Sequence, residues 1–213
     1  MTEVKRDYDA SGRRQRARRN REEVLDCAER RFLTEGYAAT TIAAVASDAS
    51  VSVETIYKAY GGKASLVAAI WGRGLAGQGP VAAPDRSDEM QSLEPDPREI
   101  IRNWGTLTTE VAPRVAPILL LIRTAAEADA EMARLLADTD RQRLQRMRHN
   151  AQVLAGHLRP GITQAAAADV LWIYSSPDLY DLLIGRRQWS LVRYGRFIAD
   201  SMIAALLPSP AAR

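Results

Sequence analysis

The stretch that decides the fold is residues 47–63, which read SDASVSVETIYKAYGGK. A helical pattern stops at residues 50–52, resumes for only about two turns over 53–59, and ends at the two glycines 61–62. A helix of two turns is marginal by itself, because it buries little apolar surface. Neighbouring elements must therefore hold this helix, and the residues around it indicate why.

Apolar residues recur with the period of an α-helix on both sides of this stretch, which predicts an all-α chain. We expect a first helix over about residues 20–35. Thr41 is placed to cap a second helix, Ser52 to cap the short third helix, and a fourth helix begins near residue 63. A helix, a tight turn and a short capped helix make the helix-turn-helix arrangement, whose second helix enters the major groove of DNA.

The composition narrows the class of protein. The 213 residues are 46% hydrophobic and 26% charged, as in ordinary globular proteins. The sequence contains no run of 18 apolar residues, so it predicts no membrane span. The Arg-rich start lacks the apolar segment of a secretory signal. The single cysteine, Cys27, has no partner for an internal disulfide. We therefore expect a cytoplasmic protein that does not contact a membrane.

Positive charge is concentrated near the N-terminus. Residues 13–21, RRQRARRNR, carry six arginines and no acid, whereas residues 71–213 hold 17 basic and 16 acidic side chains. This pattern predicts a flexible basic arm over residues 1–19 that follows the DNA backbone or minor groove, with Arg18 and Arg19 as its contacts. A solvated, disordered tail is an equally weighted interpretation, and charge alone does not separate the two.

A segment rich in glycine and proline, residues 72–97, marks a boundary in the chain. It divides a helix-turn-helix domain with its connecting fourth helix, residues 20–71, from a larger helical domain, residues 72–213. In the larger domain the periodic patterns predict helices over about 97–111, 113–128, 130–158 and 163–175, a short one after 177, and a last one over 189–207.

The residues of the short helix and its surroundings point to a family. The segment YAATTIAAVASDASVSVETIYKAYGGKASLVAAI, residues 37–70, resembles the DNA-binding unit of the tetracycline-repressor (TetR) family of bacterial transcriptional regulators. The matching positions are Thr40, Thr41, Ile42, Val45, Ala46, Ala49, Val51, Ser52, Thr55, Ile56, Tyr57, Tyr60 and Lys63. Ser50 departs from the family's turn glycine and must adopt a positive φ or a different turn, and Glu54 stands where glycine is common.

Residue types in this unit suggest two kinds of DNA contact. Thr41, the Gly62 amide and Lys63 lie at helix starts, where they can hold phosphates. The resemblance implies that Tyr57 turns its hydroxyl to the DNA backbone. The candidate phosphate and groove contacts are Thr41, Ser52, Val53, Glu54, Thr55, Tyr57, Lys58, Gly62 and Lys63. The alternatives are that the hydroxyl residues only cap helices, the tyrosines are half-buried core, and Lys58 is a solvated surface side chain.

One such unit buries too little surface for tight specific binding, so a homodimer reading two half-sites of a palindromic operator is expected. The resemblance implies a dimer formed by a four-helix bundle of the last two long helices. The candidate interface residues are Ala167, Val170, Leu171, Leu191, Gly195, Ile198 and Met202. The alternative is that these faces pack only within the monomer.

The resemblance also implies a small-molecule pocket among the central helices, whose occupant changes the spacing of the two DNA-reading helices. The candidate lining residues are Trp104, Leu107, Val111, Leu120, Arg123, Thr124, Met147, Asn150, Trp172 and Tyr174. Each of them also suits an ordinary core. Arg123 would need an acid or an anionic ligand if it were buried, or it lies on a solvent-facing side of its helix.

No catalytic or metal-binding arrangement is found in the sequence. His149 and His157 are eight residues apart with no matching cysteine or carboxylate cluster, and no phosphate loop or nucleophile elbow occurs. We therefore predict no enzyme activity, no cofactor and no metal. The leading hypothesis is a repressor released from its operator by a small-molecule effector. The alternative is a helical ligand-binding or protein-interaction module that no longer binds DNA specifically.

Overall fold

The computed structural model describes residues 9–209, and this part of the chain contains helices and no strands. The prediction of an all-α protein is confirmed. The chain forms two compact units, one ending at Ile70 and the other beginning at Trp71. The sequence boundary was placed one residue later. Each unit is described by itself.

The N-terminal unit consists of α1 (Asp9–Glu35), α2 (Ile42–Asp48), α3 (Val53–Tyr60) and the beginning of α4 (Lys63–Ala76). The predicted flexible arm over residues 1–19 is wrong for residues 9–19, because α1 already begins at Asp9. This segment holds alanine, glutamine and arginine, which favour helix, and no proline to stop it. Residues 1–8 lie outside the described residues.

Helix α1 supplies one side of the first unit's core. Val24, Ala28 and Phe32 are buried on its inner stripe. The other helices face them with Val45 on α2, Ile56 on α3, and Leu66, Val67 and Ile70 on α4. The Arg31 guanidinium donates to both carboxylate oxygens of Asp48, at 2.6 and 3.0 Å, and joins α1 to α2. This core supports the two-turn α3, which cannot be stable alone.

The larger unit contains the rest of α4 and six further helices. They are α5 (Ala83–Leu93), α6 (Pro97–Ala126), α7 (Ala130–Val153), α8 (Gln164–Tyr174), α9 (Pro177–Tyr180) and α10 (Leu191–Leu206). A 3-10 turn at Ala155–His157 follows α7, and one wide π-helical segment, Asp181–Arg186, follows α9.

Two predictions for this unit are wrong. The supposed boundary segment 72–97 contains α5, and the two helices expected over 97–111 and 113–128 are one continuous α6. Pro113 and Pro117 lie inside α6 and leave two carbonyls without their usual helical donors. The helix continues because its far half buries Ile118 and Ile122 in the core.

Helices α6 and α10 cross at two glycines. A Cβ added to Gly105 would lie 2.6 Å from the Gly195 carbonyl oxygen, so neither position has room for a larger residue. By length and composition α6 is apolar enough to cross a membrane. It packs against α7 and α10 within the larger unit.

Candidate DNA-binding surface and ligand cavity

The turn between α2 and α3 keeps the helix-turn-helix geometry without a glycine. Ser50 adopts φ 52°, one of the two alternatives that the sequence left for it. The Thr41 hydroxyl accepts from the Ala44 amide at 3.1 Å, and the Ser52 hydroxyl accepts from the Thr55 amide at 3.1 Å. Gly61, at φ 85°, ends α3 in the left-handed conformation. Thr41 and Ser52 are therefore helix caps, whatever else they contact.

One side of α3 is open to solvent. Ile56 is its single buried side chain, whereas Val53 and Tyr57 are 40% and 52% exposed. Glu54, Thr55 and Lys58 are exposed as well. We call these five exposed side chains the α3 face. They are the four predicted groove residues and Tyr57, the predicted backbone contact, and all five lie on one short helix.

Tyr60 and Lys63 are turned toward the protein. The Tyr60 hydroxyl donates to the Arg21 carbonyl at 3.1 Å and joins α3 to α1. The Lys63 ammonium donates to the carbonyls of Tyr37 and Thr40, at 2.8 and 3.2 Å, and lies 4.1 Å from the Tyr37 ring centroid. Its hydrogen bonds therefore stabilise the α1–α2 connection. A phosphate contact for Lys63 or for the Gly62 amide beside it remains a prediction.

Arg18 and Arg19 are exposed on the N-terminal turns of α1. They are held on a helix and not on an arm. Neighbouring residues of a helix project about 100° apart, so the two arginines point in different directions. A rigid helix therefore presents them as separate contacts.

The larger unit encloses a cavity with two lobes. The larger lobe has a volume of about 330 Å³ and the smaller about 180 Å³. The residues that line both lobes are Leu75, Pro84, Thr108, Val111, Arg146, Met147 and Ser175. Most of the wall is apolar, and its polar groups come chiefly from α7 and the α8–α9 corner, with others on α5, α6 and α10. This size and polarity suit a small organic ligand.

Six of the ten predicted pocket residues line this cavity. Val111 and Met147 line both lobes, and the smaller lobe adds Trp104, Leu107, Asn150 and Tyr174. The other four, Leu120, Arg123, Thr124 and Trp172, are not part of the lining of either lobe.

Arg123 is paired at the surface. Its guanidinium donates to both oxygens of Asp178, at 3.0 and 2.8 Å, and both side chains are about half exposed. Hydrogen bonds from Arg123 and Ser176 hold the pKa of the Asp178 carboxyl below its usual value. Asp178 is the acid that a buried Arg123 would have required, but both side chains are about half exposed to solvent. The pair links α6 to α9 outside the lining of both lobes.

Sequence reasoning missed the polar end of the larger lobe. Arg143 and Arg146 are three residues apart on α7, and both line the cavity together with Tyr180 and Tyr194. Within RQRLQRMRHN, residues 141–150, only Met147 and Asn150 are predicted pocket residues. A signal was present in that segment, because the i, i+3 spacing places both arginines on one side of α7.

The predicted dimer stripe is wrong in most of its members. Ala167, Leu171, Gly195, Ile198 and Met202 are buried within the monomer, where α10 packs on α6 and α8. Val170 is partly buried against the same core. Leu191 is exposed, and the outer faces of α8 and α10 expose other apolar side chains. The periodic stripes identified the inward faces correctly but assigned them to the wrong partner.

Comparison with known proteins finds a family match in the N-terminal unit. Residues 24–70, which contain α2, α3 and parts of α1 and α4, match the sequence model described as "Bacterial regulatory proteins, tetR family". No curated protein sequence matches the chain.

Solved structures of similar fold cover nearly the whole chain. NalD, the secondary repressor of the MexAB-OprM multidrug efflux pump in Pseudomonas aeruginosa, has a TM-score of 0.70 and 20% identity, over 91% of this chain and 98% of that one. The SmeT–triclosan complex has a TM-score of 0.68 and 20% identity, over 91% and 99%. SmeT is the repressor of the SmeDEF multidrug efflux pump of Stenotrophomonas maltophilia.

A third similar structure is a transcriptional regulator from Saccharomonospora viridis in complex with choline. It has a TM-score of 0.63 and 17% identity, over 89% of this chain and 98% of that one. Two of these three structures hold different small molecules, although the fold is shared. At this level of identity the similarity shows the fold and does not transfer a ligand.

Proposed function

The chain is a member of the tetR family of bacterial regulatory proteins, and from this premise we propose that it is a homodimeric repressor that binds a palindromic operator and is released by a small-molecule effector. The observation that carries the proposal is the α3 face. A two-turn helix that buries one side chain and exposes six has the form of a reading helix. As a regulator of DNA it would act in the cytoplasm.

The chemistry of the α3 face suits the major groove. Thr55 and Lys58 can donate to base edges, and Glu54 can accept from the amino group of cytosine. The half-exposed Tyr57 has a hydroxyl free to reach a phosphate. The arginines on the first turns of α1, including Arg18 and Arg19, add positive charge to the same unit and would strengthen binding without reading sequence.

We assign the dimer interface to the outer faces of α8 and α10. Ile173 on α8 is 57% exposed, and Leu191, Val192 and Phe197 on α10 are exposed as well. Ala165 and Ala204, also exposed, would allow close approach of a partner helix. Apolar side chains on the outside of an otherwise packed unit favour association with a second copy.

The two-lobed cavity is the proposed effector site. Trp71 and Leu75 of α4 lie in its wall, and α4 begins at Lys63, directly after α3 and its terminal glycines. An occupant that displaces these two side chains would move a helix that continues from the helix-turn-helix. The SmeT–triclosan complex supports an effector role for such a cavity by similarity of fold.

The alternative, a module that no longer binds DNA specifically, rested on Glu54 and on the missing turn glycine. Ser50 adopts the positive φ that the turn needs, which leaves Glu54 as its remaining support. Binding of the full chain to selected DNA at increasing salt separates the two functions. A repressor loses affinity steeply with salt and enriches a palindrome, because it neutralises phosphates and reads two half-sites. Binding that is sequence-blind would favour the alternative.

A further inference from the structure

The charged groups that line the cavity are all positive. Among the described residues, those that line the two lobes include two arginines, Arg143 and Arg146, and no aspartate or glutamate. A cationic ligand would therefore face two positive charges and no compensating one. The sign of the wall favours an anion.

The carboxylates that pair with these arginines lie toward water. The Arg143 side chain is only 13% exposed, whereas its partner Asp140, at 3.1 Å, is 46% exposed. Arg146 is 25% exposed, and its partner Asp88, at 2.8 Å, is 47% exposed. Solvent screens the half-exposed carboxylates more than the less exposed guanidinium groups, so the inner surface stays positive.

Arg143 is held with hydrogen-bonding capacity to spare. One face of its guanidinium stacks on Trp172, with Cζ 4.0 Å from the ring centroid. Nη1 donates to Asp140 and Nη2 to the Ser175 carbonyl at 3.2 Å, while Nε has no partner among the described residues. Burial lowers the pKa of Arg143, partly offset by Asp140, but an arginine remains protonated at neutral pH. It is a fixed, planar cation that a carboxylate can approach.

A second unsatisfied group points to a polar ligand atom. Tyr194 is 1% exposed and lines the larger lobe, as does Trp71, whose buried indole Nε1 has no hydrogen-bond partner among the described residues. Burial and the neighbouring Tyr180 raise the pKa of Tyr194 to about 12, so the hydroxyl keeps its proton and can donate. A buried polar group without a partner is unfavourable, and a ligand oxygen would satisfy it.

The remainder of the larger lobe is apolar. Leu75, Val111, Val115 and Leu119 contribute aliphatic surface, and the Trp71 ring adds an aromatic one. We propose that the cavity binds a small amphipathic organic anion, with its carboxylate at Arg143 and its apolar body among these side chains. The regulatory meaning of this ligand class rests on the proposed function, but its binding does not.

The test measures binding to the full chain by calorimetry without DNA. Two carboxylates with different apolar bodies, decanoate and naphthalenecarboxylate, are compared with the matched neutral alcohols and with decylammonium. We expect at least one carboxylate to bind about tenfold or more tightly than its alcohol, and the ammonium not to bind. A hydrogen bond to a charged group is worth roughly a tenfold to hundredfold change in affinity.

Two variants locate the anion. Arg143→Gln should lose roughly tenfold to hundredfold in carboxylate affinity and little in alcohol affinity. Arg141→Gln is the matched control, since Arg141 is on the same helix with its side chain 71% exposed. This variant should bind the carboxylate with unchanged affinity. If Arg143→Gln does not fold, as judged by circular dichroism, Arg143→Lys retains the charge without the fork and should bind the carboxylate with intermediate affinity.

The inference is overturned if neither carboxylate binds better than its alcohol, or if the Arg143 variants bind the carboxylate as the wild type does. Release of operator DNA by the same compounds is measured in parallel and reports on the proposed function. Arg143-dependent binding without release would leave this inference standing and refute the effector role. If other compounds released the operator and no carboxylate bound, the effector role would stand and this inference would be refuted.

Discussion

The α3 face and the cavity wall use similar side chains in opposite ways. On α3 the polar groups Glu54, Thr55 and Lys58 stand in water on a convex helix, and the apolar anchor Ile56 is buried beneath them. In the cavity, Arg143 and Tyr194 are buried polar groups that face inward and are surrounded by apolar residues.

The difference indicates the size of the partner that each region can bind. Exposed polar groups on a narrow helix suit a large, hydrated and charged surface such as DNA, where the protein enters the groove. Buried polar groups in a concave apolar wall suit a small ligand that must lose its water to enter.

The largest effect is expected from the α3 face. Thr55→Ala combined with Tyr57→Ala should weaken operator binding by about two orders of magnitude, at roughly 1–3 kcal/mol for each lost contact. The free energy of unfolding should change by less than about 0.5 kcal/mol, because both side chains are exposed. Fluorescence anisotropy with labelled operator measures the affinity. The control Thr34→Ala, also exposed but on α1, should bind normally. Equal losses in both variants would refute the assignment.

The next effect concerns the core of the larger unit. Gly195→Ala should destabilise that unit by about 1–3 kcal/mol, because a Cβ there would collide with Gly105 of α6. All four tryptophans lie at or after Trp71, so their fluorescence during urea unfolding reports on this unit alone. The control Gly72→Ala, where a Cβ meets nothing within 4 Å, should stabilise the helix slightly. Stability unchanged in Gly195→Ala would contradict the close crossing of α6 and α10.

A smaller effect distinguishes structure from DNA contact at Lys63. Lys63→Met should destabilise the N-terminal unit by about 1 kcal/mol, since two carbonyls lose their donor. Circular dichroism during heating detects this loss. If Lys63 acts only within the protein, the dependence of DNA affinity on salt stays as in the wild type. If the melting curve is normal and the slope of log DNA affinity against log salt concentration falls by about one phosphate contact, the predicted contact is established instead.

The smallest effect depends on pH. Arg86 donates to Glu110 Oε2 at 3.0 Å and holds the pKa of this carboxyl below its ordinary value of 4.5. The charged pair therefore stabilises the protein above that value, and the contribution disappears as the pH falls through the lowered pKa. Glu110→Gln should cost a few tenths of a kcal/mol near neutral pH and nothing in acid. A deficit that persists in acid would mean that lost packing, and not charge, is responsible.

Local signals made the N-terminal unit predictable. Thr41 and Ser52 cap their helices as expected, and Gly61 ends α3. Each of these residues acts on backbone groups within three or four positions of itself, so the local sequence is enough to predict its role. The start of α1 was misjudged, because a run of arginines has high helix propensity and also the composition of a disordered arm.

Tertiary packing decided what the sequence left open in the larger unit. Pro113 and Pro117 were interpreted as helix starts, but burial of the following turns keeps α6 continuous. The apolar stripe on α10 was identified, yet periodicity does not say whether α6 or a second copy covers it. Arg143 was not among the predicted pocket residues, because its stacking on Trp172 joins residues 29 positions apart in the chain.

Directed cleavage tests most directly the central claim that the α3 face meets DNA in two copies. The natural Cys27 is buried, so Lys58→Cys provides one accessible thiol on α3 for an iron chelate that cuts nearby DNA. The account predicts two symmetric groups of cuts, one in each half-site, about one helical turn or slightly more apart. Uncut DNA, or a single group of cuts, would contradict it.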